Sequence, residues 1–93
     1  MPTISMFRGI KVFLNWSEHN PPGFPYGNVV VHAVYGGQEV IVSIDEIEVL
    51  EGSLPSKQQK MLLGWIALHQ EELRENWLLA QDGQELFPID PLR

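Results

Sequence analysis

Three histidines are the residues of this chain whose chemistry suits proton transfer or metal binding. His19 lies in a proline-rich segment, His32 in a run of valines, and His69 among apolar residues that recur every four positions. Histidine titrates near neutral pH and binds metals through a neutral ring nitrogen. The spacing of the three matches no metal motif, and a histidine on an apolar face more often packs than binds a ligand. We therefore predict no metal and no cofactor.

His69 and Glu72 form a candidate acid–base pair, because they are one turn apart if this segment is helical. An exposed helix pair without catalytic function has the same spacing and is the more common case. The chain has no phosphate-binding glycine loop, no His-Glu-x-x-His helix and no serine in a nucleophile elbow. The enzyme classes that depend on these motifs are therefore disfavoured.

The segment EHNPPGFPYGN (residues 18–28) is the second candidate site. Its three prolines restrict the backbone and keep a long connection ordered, while stiff loops also present side chains well. The sequence favours a structural connection over a binding loop, and it leaves open the cis or trans state of Pro21, Pro22 and Pro25. The candidate binding residues of the chain are His19, Asn20, Phe24, Tyr26 and His69.

The net charge of −6 is unevenly distributed. Residues 1–44 carry two basic and two acidic side chains, whereas residues 45–93 carry ten acidic and four basic ones. Four acids fall within seven positions with no base among them: Asp45, Glu46, Glu48 and Glu51. Direct nucleic-acid binding is disfavoured, because it needs clustered lysines and arginines. The acidic run is either a solvated surface, which is the more common case, or a contact face for a basic protein.

The first half of the chain has the pattern of β-strands. Residues 10–16 alternate between apolar and other side chains, which is typical of a half-buried strand. In NVVVHAVYGGQEVIVSI (residues 28–44), two β-branched runs flank Gly36-Gly37, and glycine tolerates the positive φ angles of a tight hairpin turn. TISMF (3–7) and IEVL (47–50) are shorter candidate strands.

The second half has the pattern of one long helix. Pro55 is tolerated only in a first helical turn, and Gly83 is a natural stop. Between them, apolar residues recur every four positions, as on the buried side of a helix. We predict a helix of about 25 residues, roughly 38 Å long, in which Gly64 marks a bend or the close approach of another backbone.

The predicted fold class is α+β: a small, mostly antiparallel sheet of three to five strands packed against one long C-terminal helix. Ninety-three residues fit a single domain over residues 1–93 with one hydrophobic core. The chain has no cysteine and no apolar run long enough to cross a bilayer. We expect a soluble cytoplasmic protein, and the sequence leaves open whether it is a monomer or a homodimer.

Four segments are distinctive in combination, although each is weak alone. They are MPTISMFRGI, EHNPPGFPYG, IEVLEGSLP and WIALHQEELRENWLLAQDGQELFPIDPL, and together they cover nearly the whole chain. In these segments the chain resembles the bacterial family known as domain of unknown function 4160. The resemblance implies a small cytosolic α+β domain associated with toxin–antitoxin-like modules, and it implies no agreed activity.

The resemblance also bears on the proline-rich segment. Family members typically read His-Asn-Pro-Pro-His-Phe-His there, a concentration of imidazoles that implies metal or acid–base chemistry. This chain keeps His19, Asn20 and Phe24, but Gly23 and Pro25 stand where the other two histidines would be. A metal site built in that way is not expected here, and a structural loop or a binding surface is favoured over catalysis.

Three functions follow as hypotheses. The first is a non-enzymatic interaction or regulatory module that binds a protein partner through the acidic run or the aromatic loop. The second is a hydrolase or nuclease, degenerate in this member, that uses His19, His32 or His69. The third is a structural domain that self-associates through an open sheet edge. The first is the leading hypothesis, and it rests on the acidic run and the stiff aromatic loop.

Overall fold

Five strands form one antiparallel sheet in the computed structural model, which describes residues 3–14 and 30–92. Each strand pairs with its neighbours in sequence, so that the first and the last strand are the edges. The strands are β1 Thr3–Phe7, β2 Ile10–Phe13, β3 Val30–Tyr35, β4 Gln38–Ser43 and β5 Glu48–Gly52. The predicted antiparallel sheet is confirmed, at the upper end of three to five strands.

The central hairpin joins β3 and β4 through Gly36 and Gly37. Both glycines have positive φ angles, of 54° and 83°, as a primed two-residue turn requires. The turn fixes the register, with Tyr35 opposite Gln38. Because side chains alternate along a strand, this register decides which residues of the two strands share a face of the sheet.

The hydrophobic core lies on one face of the sheet, against the helices. Alternate residues of the three central strands are fully buried in it: Ile10, Val12, Val31, Ala33, Val40 and Val42. The same cluster includes Trp65, whose Nε1 donates to Asp90 O at 2.8 Å, so that the buried indole has a partner. Burial of each large apolar side chain contributes about 1.5–3 kcal/mol, which makes this cluster the main stabilising element.

The predicted single long helix is wrong, because the structure has two helices, α1 (Ser56–Leu68) and α2 (Gln70–Gln81). His69 separates them with φ −116° and ψ 25°, outside the range of an α-helix. Its N–H lies 3.1 Å from Trp65 O and 3.2 Å from Ile66 O, so the last turn of α1 tightens towards an i−3 bond and ends there.

Each helix then buries its own apolar side. The buried residues of α1 are Leu62, Trp65 and Ile66, and those of α2 include Leu73 and Ala80. Of the two alternatives at Gly64, the close approach of another backbone is not seen within the described part of the chain: the residue is exposed, and no described atom lies within 4 Å of the place a Cβ would take. None of the described helices is both long and apolar enough to span a membrane.

The C-terminal segment returns from α2 to the edge strand β1. Asn76, which is fully buried, donates from Nδ2 to Phe87 O at 2.9 Å and accepts at Oδ1 from Phe87 N at 3.0 Å. Two residues further on, Ile89 N donates to Ile4 O at 2.8 Å. The chain's own C-terminal segment therefore covers part of the β1 edge.

Candidate functional site

His69 is the one predicted binding residue within the described ranges, and it lies at the junction of α1 and α2. Its Nδ1 is 2.7 Å from Glu72 Oε1, and its ring centroid is 5.2 Å from that of Trp65. The His69 side chain is 18% exposed and that of Glu72 is 46% exposed. The pair spans the first turn of α2, where a carboxylate also interacts favourably with the helix dipole. Stabilisation of the helix junction accounts for this geometry.

The remaining predicted binding residues belong to the range 15–29, which lies outside the described residues: His19, Asn20, Phe24 and Tyr26. The roles assigned to them and to the proline-rich segment therefore stay predictions. Within residues 3–14 and 30–92, no three histidine, aspartate or glutamate side chains are arranged to hold a metal ion.

His32 lies on the face of the sheet opposite to the core, called the second face below. Its neighbours Val31 and Ala33 belong to the core, so alternation along the strand directs His32 to the other side. The imidazole stacks on Phe13, with centroids 5.3 Å apart and 18° between the planes. Its Nδ1 lies 3.3 Å from Glu39 Oε2; the His32 side chain is 6% exposed and that of Glu39 is 52% exposed. The contact joins a buried imidazole to a carboxylate at the surface.

The sheet separates the two described histidines. His32 lies on the second face, whereas the His69 ring contacts Trp65, a residue of the core on the other face. Each imidazole contacts its own glutamate, and no common site holds both. The hydrolase hypothesis thus loses the convergence of these two groups.

A pocket of about 270 Å³ shares Glu39 with the His32 contact and lies on the second face. Glu39 and Ile41 of β4 line it together with Glu51 and Gly52 of β5. Ile41 pairs with Glu51 across the two strands, so that two carboxylates flank one apolar side chain. Small-molecule sites usually measure roughly 300–1,000 Å³, and this pocket, called the acidic pocket below, lies just under that range.

A bulge in β5 turns Glu51 towards the acidic pocket. Val42 pairs with Val49, but the next residue back, Ile41, pairs with Glu51, so that β5 has one extra residue at this step. Val49 packs against the core. Without the extra residue, Glu51 would point to the same side as Val49, because side chains two positions apart share a face.

Gly52 allows β4 and β5 to approach closely at the rim of the acidic pocket. Its φ is 75°, and a Cβ on this residue would collide with the backbone carbonyl oxygen of Glu39. The obstacle is backbone of a paired strand, which has little freedom to move away. Glycine is therefore required at this position, both for its conformation and for its size.

The structure divides the acidic run that the sequence indicated. Asp45 forms an ion pair with Arg74 of α2, with 2.6 Å between Oδ1 and Nε. Glu48 and Glu51 face the same side as Glu39 in the strand register, and neither has an ion-pair partner within the described part of the chain. We call these three glutamates, on adjacent strands of the second face, the acidic patch.

Glu39 is the member of the acidic patch that sequence reasoning missed. The hairpin register supplies the missing signal, because the two-glycine turn places Glu39 opposite Val34 and hence on the same face as His32. Lys11 also lies on this face, but Val34 stands between it and Glu39 in the register. The bulge that redirects Glu51 has no comparable signal in the sequence.

Fold and site together define the class of protein: a five-stranded antiparallel meander with helices on one face and an acidic pocket on the other. Residues 9–78 match the family model described as Domain of unknown function (DUF4160). The chain belongs to this family, and the resemblance seen in its four segments is confirmed. The matched range includes the whole acidic patch. No curated protein and no solved structure matches the chain.

Proposed function

We propose that this protein is a non-enzymatic interaction module that binds a basic segment of a partner protein at the acidic patch. It acts as a single domain over residues 1–93 in the bacterial cytoplasm, the setting that the family resemblance implies. By the same resemblance, the partner is the second member of a toxin–antitoxin-like pair. The observation that carries the proposal is the acidic pocket, in which two carboxylates flank an apolar side chain.

A lysine or arginine side chain suits the chemistry of the acidic pocket. Such a side chain combines an apolar stem with a cationic head. Ile41 offers a contact surface for the stem, and Glu39 and Glu51 offer oxygens that accept hydrogen bonds from the head. Both carboxylates are exposed, so the attraction starts as that of a surface ion pair, and a partner that covers the pocket strengthens it by displacing water.

The charges around the acidic pocket extend this attraction. Glu48 lies on the same strand and face as Glu51, and the whole chain carries a net charge of −6. A surface of one sign steers a partner of the opposite sign and raises its association rate, most strongly at low ionic strength. The same carboxylates repel the phosphates of nucleic acids. A basic protein is therefore the favoured partner.

Site-specific photocrosslinking in the native host tests the proposal. A photoreactive amino acid at Ser53, which is exposed directly after β5, reports on contacts at the acidic patch. The same amino acid at the exposed position Glu75 of α2 serves as the reference. We expect a crosslink from Ser53 to a protein with a basic segment, and no such product from Glu75.

Two double variants make the result specific. Glu39→Gln with Glu51→Gln removes both carboxylates of the acidic pocket, and we expect it to weaken the interaction roughly two- to fivefold for each lost ion pair, because both carboxylates are exposed. Glu71→Gln with Glu75→Gln makes the same change of charge on α2 and is expected to leave the interaction intact. The proposal is contradicted if the Ser53 crosslink is equally strong in both double variants, or if Ser53 gives no more crosslink than Glu75. The acidic patch would then be a solvated surface.

A further inference from the structure

The two edges of the sheet differ in their cover. The C-terminal segment hydrogen-bonds to β1, through Ile89 N and Ile4 O at 2.8 Å. Within the described residues, no backbone hydrogen bond joins β5 to any segment other than β4. An antiparallel edge strand directs the N–H and C=O groups of every second residue outward, where they remain available to another chain.

From this asymmetry we infer that the basic partner segment is extended and adds to β5 as a sixth strand. The inference rests on the function proposed above and specifies the conformation of the partner. Strand addition derives affinity from main-chain hydrogen bonds and specificity from side chains at alternate positions. On the second face, those alternate positions meet the acidic patch. The partner segment therefore carries lysine or arginine at two positions on one face of the strand, opposite Glu48 and Glu51.

A second copy of this chain is a poor occupant of the β5 edge. Pairing of two β5 strands would bring Glu48 and Glu51 of one copy against acidic residues of the other, and like charges across a strand pair are destabilising. A basic strand is attracted by the same glutamates, so the β5 edge favours a basic partner segment over a second copy of this chain.

Two synthetic peptides of equal charge test the inference on the intact protein. One alternates lysine with valine and has a high tendency to form a strand. The other alternates lysine with proline, which has no N–H and does not join a sheet interior. Affinity is measured by calorimetry, and amide hydrogen exchange is measured in Glu48–Gly52.

We expect the lysine–valine peptide to bind at least about tenfold more tightly than the lysine–proline peptide, because only it forms several main-chain hydrogen bonds. It should also slow amide exchange in β5. Glu39→Gln with Glu51→Gln should weaken its binding roughly two- to fivefold for each lost ion pair, and the α2 control Glu71→Gln with Glu75→Gln should not.

Each other outcome is decisive in a different way. Equal binding of both peptides that depends on the acidic patch but leaves β5 exchange unchanged would overturn strand addition and leave the proposed function standing. If neither peptide binds, or if the acidic-patch variant binds as tightly as the unchanged protein, both the inference and the proposed function are contradicted. Exchange in β5 that slows with protein concentration, without peptide, would assign the edge to a second copy and overturn the inference.

Discussion

Asn76 offers the sharpest test of how the chain holds its C-terminal segment. The residue is fully buried in α2, and both of its side-chain hydrogen bonds go to Phe87, at 2.9 and 3.0 Å. Asn76→Ala removes the donor and the acceptor together and leaves the N–H and C=O of Phe87 without these partners. A net hydrogen bond contributes about 0.5–1.5 kcal/mol, and a buried group left unsatisfied costs about 1–3 kcal/mol. Because Phe87 is only partly buried, we expect a loss of about 2–4 kcal/mol.

Urea unfolding followed by tryptophan fluorescence measures this loss. With an m-value of roughly 1 kcal/mol per M, the low end for small domains, the midpoint falls by about 2–4 M. Hydrogen exchange should become faster in residues 84–92, because their attachment to α2 is weakened. Gln70→Ala is the matched amide control: Gln70 is partly exposed and donates to Ile44 O at 2.8 Å, so we expect a loss of no more than about 1 kcal/mol.

Asn76→Asp separates the donor from the acceptor. It keeps the size of the side chain and the oxygen that accepts from Phe87 N, but at neutral pH it places a second carboxylate oxygen against Phe87 O. We expect a loss at least as large as for Asn76→Ala, because a charge is buried without a full set of donors. The reasoning is refuted if both variants lose less than about 1 kcal/mol and exchange in residues 84–92 is unchanged.

Three further stability predictions follow from the geometry, each checked by urea unfolding. Gly64→Ala should stabilise the protein by about 0.8–1 kcal/mol, because the site is exposed, helical and without contacts to the described residues; a loss would reveal a contact there. Gly52→Ala should cost at least about 1 kcal/mol more than Gly37→Ala, since φ is positive at both but only Gly52 faces a backbone collision; equal losses would count against that collision. Arg74→Ala should cost no more than about 1 kcal/mol, less in high salt, because the pair with Asp45 is 43% and 44% exposed; a larger, salt-independent loss would contradict this estimate.

The sheet was predictable because its signals are local. The β-branched runs on either side of Gly36-Gly37 specify strands and turn within 17 consecutive residues. The turn conformation then fixes the register by itself.

The break at His69 was not predictable from local pattern. The segment IALHQEE (residues 66–72) contains neither glycine nor proline, and its residues continue the helical repeat. Helix propensity is a weak prior that tertiary packing overrides. The ring of His69 packs on Trp65, and Gln70 donates to Ile44 O beyond the end of β4, so contacts with the rest of the fold accompany the turn between the helices.

The site was predictable only in part, because its members come together through long-range contacts. The sequence indicated four clustered acids, but Asp45 is neutralised by Arg74, which is 29 residues away. Glu39 enters the acidic patch through pairing between strands, and Glu51 through the bulge. Composition therefore predicted the sign of the surface charge, and the strand register determined which carboxylates share a face.

The hydrogen bond between Ile89 and Ile4 brings the two ends of the described chain together at one edge of the sheet. With neighbouring strands about 4.8 Å apart, that edge lies roughly 19 Å from β5 across the five strands. A label or a fused domain attached at either end therefore departs from the side remote from β5. The two ends of the described chain and the proposed binding edge β5 therefore lie at opposite borders of the sheet.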